Sequence, residues 1–180
     1  MVRVIMSLFL CFSPLLLNAI ESSEVVYGYT LPPEPNKQLN DSTLLGIDAN
    51  HNGIRDDIER KIVFKYKEPI KIELMFASAR AHQEMLHDPV GSAIKSEAKM
   101  RRILNCKMYL LDKNISIGTV NKFIVDNMYN TKERVKAYLQ FNGALSGGVY
   151  GSSADDWNAK ACDFDVDKLL KERSSKKESK

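Results

Sequence analysis

Between Asp48 and Glu59 the chain sets oxygen-bearing side chains at alternate places: Asp48, Asn50, Asn52 and Asp56, with Glu59 closing the stretch. Counting Asp48 as one, they fall at one, three, five, nine and twelve, with Gly53 at six. Carboxylate and amide oxygens are hard donors, and Ca²⁺ takes six to eight of them at about 2.3–2.6 Å. Alternate residues of a tight loop must then point inward. Gly53 permits the backbone turn that a Cβ would obstruct, and Ile54 at seven would supply its carbonyl. The candidate metal ligands are therefore Asp48, Asn50, Asn52, Ile54, Asp56 and Glu59, and the cofactor expected is Ca²⁺. Asn at three and five lowers the charge facing the ion, which predicts an affinity of ~10⁻⁵–10⁻³ M, suited to extracellular or periplasmic calcium. Mg²⁺ accepts fewer protein oxygens than this loop offers. The metal-free alternative is a polar turn at Asn52-Gly53, with Asp56, Asp57 and Glu59 complementing a positive helix start.

The run Asp-x-Asn-x-Asn-Gly-Ile-x-Asp-Asp, from Asp48 to Asp57, resembles an EF-hand loop. It departs from that pattern at position eight, where Arg55 replaces the usual apolar residue, and no helical pattern precedes it. It is more similar to the calcium loops of thrombospondin type 3 repeats and of bacterial exported proteins. It also resembles a dockerin loop, although dockerins carry two copies. The likeness spans about a dozen residues, so it implies an ion site and leaves the rest of the fold open. Leu31-Pro32-Pro33-Glu34-Pro35, Gly46-Ile47-Asp48 and Asn130-Thr131-Lys132-Glu133-Arg134 together resemble a group of bacterial exported proteins, with no function to carry across.

Other chemistry-bearing residues read as structural. His51 sits at position four of the loop, where a side chain points outward. His82 and His87 are five apart, whereas zinc helices pair histidines four apart, as in His-Glu-x-x-His. Ser152, Ser153, Asp155 and Asp156 beside Trp157 lack a nucleophile elbow or a matched histidine. Asp163, Asp165 and Asp167 alternate without a glycine turn and suit a helix cap. No catalytic residue is assigned, and the chain reads as a non-enzyme.

The elements that must position the loop follow from apolar spacing. Ile54, Ile58, Ile62 and Tyr66, with Val63, form one helical stripe. Pro69 opens a second helix, whose buried face holds Ile72, Met75, Phe76, Ala79 and Leu86; Asp88-Pro89-Val90-Gly91 stops it. A third runs from about Ser92 to Leu111 with Met100, Ile103, Leu104, Met108 and Leu111 inward. Val120, Phe123, Ile124 and Met128 mark a fourth. Asn130 and Glu133 read as a capping box for a fifth, with Val135, Tyr138 and Leu139 inward and Gly147-Gly148 at its end. A short last helix is expected near 166–171. The expected fold is all-α, a bundle of about five helices, preceded by a Pro-rich extended lead-in over 20–45. The helical domain covers 46–172, and a disordered basic tail covers 173–180.

Composition fixes the broad class. The chain has 180 residues, 44% apolar and 27% charged, which suits one globular domain. Its net charge of +3 is spread among mixed signs, so no basic stripe invites nucleic acid. Met1-Val-Arg3, the apolar run Val4 to Leu17 and the small Ala19 read as a signal peptide over 1–19. That run is shorter than the ~20 residues of a membrane span. Cys11 leaves with it, or is lipidated. Cys106 and Cys162 remain and are expected to form a disulfide. The sequence thus predicts a secreted or periplasmic calcium-binding protein with a structural or protein-interaction role. An inhibitor or immunity-type binding protein and an envelope enzyme with an unrecognised site are the alternatives.

Overall fold

β-branched and aromatic residues flank Tyr27-Gly28, and both of these take positive φ (51° and 87°), so the chain reverses in two residues. The reversal pairs β1 (Glu24–Val26) with β2 (Tyr29–Leu31) antiparallel, Glu24 opposite Leu31 and Val26 opposite Tyr29. The computed structural model describes residues 24–118 and 120–178. The signal segment and Cys11 lie outside them. The lead-in is therefore not simply extended: it holds a hairpin and a short helix, α1 (Lys37–Asp41), which Asn36 caps by accepting from the Leu39 N–H. All-α and five helices are accordingly too coarse. Among the described residues there are seven helices and one two-stranded sheet.

The Pro-rich segment lies along the domain because α2 (Asp56–Tyr66) presents Arg60 to it. Its guanidinium donates to Glu24 (2.7 Å), the Pro32 carbonyl (2.8 Å) and Glu34 (2.7 Å), while Leu31 drops into the core. The stripe of α2 is as expected: Ile58, Ile62 and Val63 are fully buried, Ile54 with them, and Tyr66 is half-buried.

Pro69 starts α3 (Pro69–His87), where its missing N–H has no intrahelical role. This helix packs against α2 and β2's neighbours and also against α4 (Ala93–Asp112), α5 (Val120–Met128), α6 (Lys132–Ala144) and α7 (Val166–Glu178). It is accordingly apolar nearly all round, with Ile72, Leu74, Met75, Ala79, Met85 and Leu86 sealed from solvent. Burying each large side chain contributes about 1.5–3 kcal/mol.

The inward faces of α4 and α6 differ from the spacing-based reading. On α4 it is Ile103, Cys106 and Leu110 that are buried, while Leu104 and Leu111 reach the surface. On α6 Val135 is 42% and Leu139 62% exposed, and Arg134, Ala137 and Phe141 face in. The face is rotated because the Arg134 guanidinium is recruited inward, as described below. Thr131, not Asn130, caps α6 by accepting from the Arg134 N–H at 3.2 Å, and the helix stops at Ala144, ahead of Gly147.

Cys106 and Cys162 form the expected disulfide, S–S 1.99 Å, which joins α4 to the chain entering α7. Two single 3₁₀ turns, Ala154–Asp156 and Ala159–Ala161, precede that junction. Arg102 reinforces it, donating to the Lys160 carbonyl at 2.8 Å. Asp165 accepts from the Lys168 N–H at 3.0 Å, so the acidic run does cap the last helix. That helix continues to Glu178, where a disordered tail was expected from 173. Ser174 and Ser175 bond back to carbonyls one turn earlier, and Arg173 pairs with Glu68. No helix of the described residues is long and apolar enough to cross a membrane.

Candidate metal centre

The loop ahead of α2 is shaped by its own side chains. Asp48 accepts from the N–H groups of Asn52 (3.2 Å) and Gly53 (2.9 Å), Asn50 from Asn52 (3.2 Å), and Asn52 from Ile54 (2.9 Å). Each bond wraps backbone around a short polar side chain, the Asx-turn device. Gly53 stands at φ 80° and His51 at φ 55°, with His51 exposed as its position implied.

From the first turn of α2, Asp56 and Glu59 face back to this loop. The Ala49 N–H donates to both oxygens of Asp56 (3.1 and 3.2 Å), and Glu59 Oε2 accepts amide N–H groups from Asn50 (3.1 Å) and Asn52 (2.8 Å). Five of the six predicted ligands thus lie in one hydrogen-bonded loop. The sixth, Ile54, is fully buried, and its carbonyl accepts no hydrogen bond among the described residues.

Electrostatics mark the cluster as short of positive charge. Burial pushes the Asp56 carboxyl up to about 6, and the nearby Asp48, Glu59 and Asp57 push the same way against the Ala49 hydrogen bond. Burial raises Glu59 as well, and Asn52, Asn50 and the Arg80 charge oppose it only in part. Among the described residues no group of three or more His, Cys, Asp or Glu side chains stands gathered for a metal ion. Half of the donors proposed here are Asn or backbone oxygens. Asp48, Asp56 and Glu59 thus do not stand as a ready-made carboxylate cage, and Asn50 and Asn52 turn N–H groups toward Glu59; the chemistry of the donor set, all oxygen, is that of a hard divalent cation.

Arg55, the departure at position eight, has a physical reason. Its guanidinium is fully buried and pairs with Asp57, so Asp57 serves as counter-ion rather than ligand. It also donates to the Asn127 (3.0 Å) and Met128 (3.3 Å) carbonyls at the end of α5, which have lost their intrahelical partners, and to Asn130 Oδ1 (3.3 Å).

Arg134 fills the adjacent position. It donates to the carbonyls of Asn40 (2.6 Å), Thr43 (3.0 Å) and Leu44 (3.0 Å), to Asp41 (3.1 Å) and to Asn130 Oδ1 (2.6 Å). All five guanidinium donors are in use. Burial and the neighbouring Arg55 charge pull Arg134 below its ordinary range, and Asp41 opposes them. Hydrogen bonding from Lys37, then Asn130 and Arg134, holds Asp41 down at about 2 against its burial. The segment entering the loop is therefore gripped by Arg134, which shares Asn130 Oδ1 with Arg55. Nothing in the hydropathy pattern flags them.

Gly46 lies at that grip, at φ 72°, and a Cβ there would come within 2.2 Å of Arg55 Cδ and 2.6 Å of Asn40 Oδ1. Gly28 also has positive φ, but a Cβ on it would meet open space. Gly46→Ala is expected to lower stability by about 3 kcal/mol or more, and Gly28→Ala by only ~1 kcal/mol, the left-handed cost alone. Urea denaturation of the two variants checks this. Equal losses would refute the close-packing account.

The remaining candidates behave as structural groups. His82 Nδ1 bonds to the Tyr129 hydroxyl, and burial pushes its ring down to about 4, while His87 is exposed. Ser153 and Asp156 form a capping box on the first 3₁₀ turn, and Trp157 Nε1 leans on Ser152 at 3.5 Å. Comparison of the chain with protein-family models, curated proteins and solved structures gives no match.

Proposed function

We propose that this chain is an exported, non-enzymatic calcium-binding protein whose loop clamps the lead-in segment onto the helical domain. Its role would be structural or interactive, with a protein or envelope component as partner. The observation that supports this most is the convergence of Asn50, Asn52 and Glu59 on one point beside the buried carboxylate of Asp56. A bound Ca²⁺ would supply positive charge beside the Asp56 and Glu59 carboxyls, whose ionised forms burial disfavours. Asp48, Asp56 and Glu59 would give that charge its counter-ions, and Asn50, Asn52 and the Ile54 carbonyl would complete the oxygen set. In the metal-free loop the two Asn amides offer Glu59 their N–H groups instead. A half-turn of each amide would bring oxygen to the same place, at the cost of the bonds that Asn50 and Asn52 Oδ1 accept from the Asn52 and Ile54 N–H groups.

An ion that binds the folded loop more tightly than the unfolded chain stabilises by RT ln(1 + [Ca²⁺]/Kd). With a Kd of ~10⁻⁴ M, 10 mM calcium gives about 2.7 kcal/mol. Melting the disulfide-bonded protein in calcium and in chelator should show a rise of several degrees. Asp48→Ala with Glu59→Ala should remove that rise. Identical wild-type melting in the two buffers would sink the assignment.

A further inference from the structure

A cavity of about 340 Å³ opens between α3, α4, α5 and α6, with Tyr150 to Ser152 along one side. Leu74, Met100, Ile103, Leu104, Val125 and Phe141 make its walls apolar. Its volume falls within the range of small-molecule sites. It is roughly twice that of a dry cavity that accepts benzene, so about a dozen carbon atoms fit.

Half of the polar side chains on this lining are committed. Arg101 pairs with Glu97 at 3.6 Å and donates to the Gly151 carbonyl at 3.3 Å. His82 is held by Tyr129. The hydroxyls of Ser78, Tyr138 and Tyr150 and the Lys107 ammonium are left without hydrogen-bond or ion-pair partners among the described residues. Ser78 is 6% exposed, lines the cavity, and its hydroxyl makes no hydrogen bond among the described residues. Lys107 is half-buried on the same lining and forms no ion pair or hydrogen bond among them. A hydroxyl that faces the cavity without a protein partner can donate to a ligand, and an ammonium beside apolar walls attracts an anion.

We propose that this cavity binds a monocarboxylate on an aliphatic body of about a dozen carbons, with Lys107 supplying the counter-charge and Ser78 a hydrogen bond. A single uncommitted cation matches a single negative charge. A phosphate dianion would call for a second free cation, and Arg101, the other one on this lining, is paired with Glu97. The apolar walls match the aliphatic body. This inference is independent of the calcium reading.

The test is titration calorimetry of dodecanoate into the disulfide-bonded protein in chelator, with dodecanol as the uncharged counterpart. Dodecanoate should bind one per chain, about tenfold more tightly than dodecanol, the weight of one ion pair in a partly dry setting. Lys107→Met should weaken dodecanoate about tenfold and leave dodecanol unchanged. Leu104→Trp, at the exposed edge of the cavity, should abolish both. Absence of dodecanoate binding, or equal binding by Lys107→Met, would overturn the proposal. So would a concentration-dependent dimer that Leu104→Trp dissolves, because the cavity would then hold a second copy of this chain.

Discussion

Replacing Arg134 with methionine is expected to remove about 3–5 kcal/mol of folding stability, measured by urea denaturation. Methionine fills much of the volume but donates nothing. The carbonyls of Asn40, Thr43 and Leu44 would lose their donor at once, and Asp41 would keep only Lys37 and Asn130. Asn40 is buried, so water reaches this place poorly, and a buried polar group left unpaired costs about 1–3 kcal/mol. Arg134→Lys should recover only part of the loss, because an ammonium has three donors and no planar fork. A loss below ~1 kcal/mol for Arg134→Met would mean that the lead-in is held by something other than this guanidinium.

Removing the Cys106–Cys162 bond should cost nearly as much. The bridge closes a separation of 56 residues, and the chain-entropy account assigns that loop about 4 kcal/mol. Cys106→Ser with Cys162→Ser should lower Tm on the order of 10 °C, since each kcal/mol shifts a domain of this size by about 2–4 °C. Adding reductant to the unmodified protein should reproduce the shift. The bond also holds the turn that leads into α7, so amide exchange there should rise most. Mass spectrometry of the non-reduced protein checks the pairing: two freely alkylated thiols would refute it.

Much of the scaffold was legible because apolar spacing and helix punctuation are local signals. Ile58, Ile62 and Val63 predicted α2, and Pro69 marked the start of α3. The hairpin carries a local signal as well: Val25-Val26 and Tyr29-Thr30 flank Tyr27-Gly28, a two-residue turn, beside a Pro-rich run whose own pattern is that of extended chain. The rotated face of α6 had no local signal. An arginine in an amphipathic pattern counts as polar and is placed outward. What turns Arg134 inward is a set of carbonyls some ninety residues earlier in the chain. The same holds for Arg55, which looked like a defect in the loop and is instead its anchor to α5. Loop donor spacing, by contrast, is local, so the sequence alone singles out the six candidate oxygen donors.

The bonds from Arg134 to residues 40–44 span up to 94 positions, and those of Arg55 to residues 127–130 span 72 to 75. Contacts of such range form slowly, because the intervening chain must first be brought to closure. During synthesis from the N-terminus, Asp48 to Glu59 emerges long before α6 exists to brace it. Local pairing of α2 with α3 can come early, whereas the entrance to the loop must be among the last parts to settle.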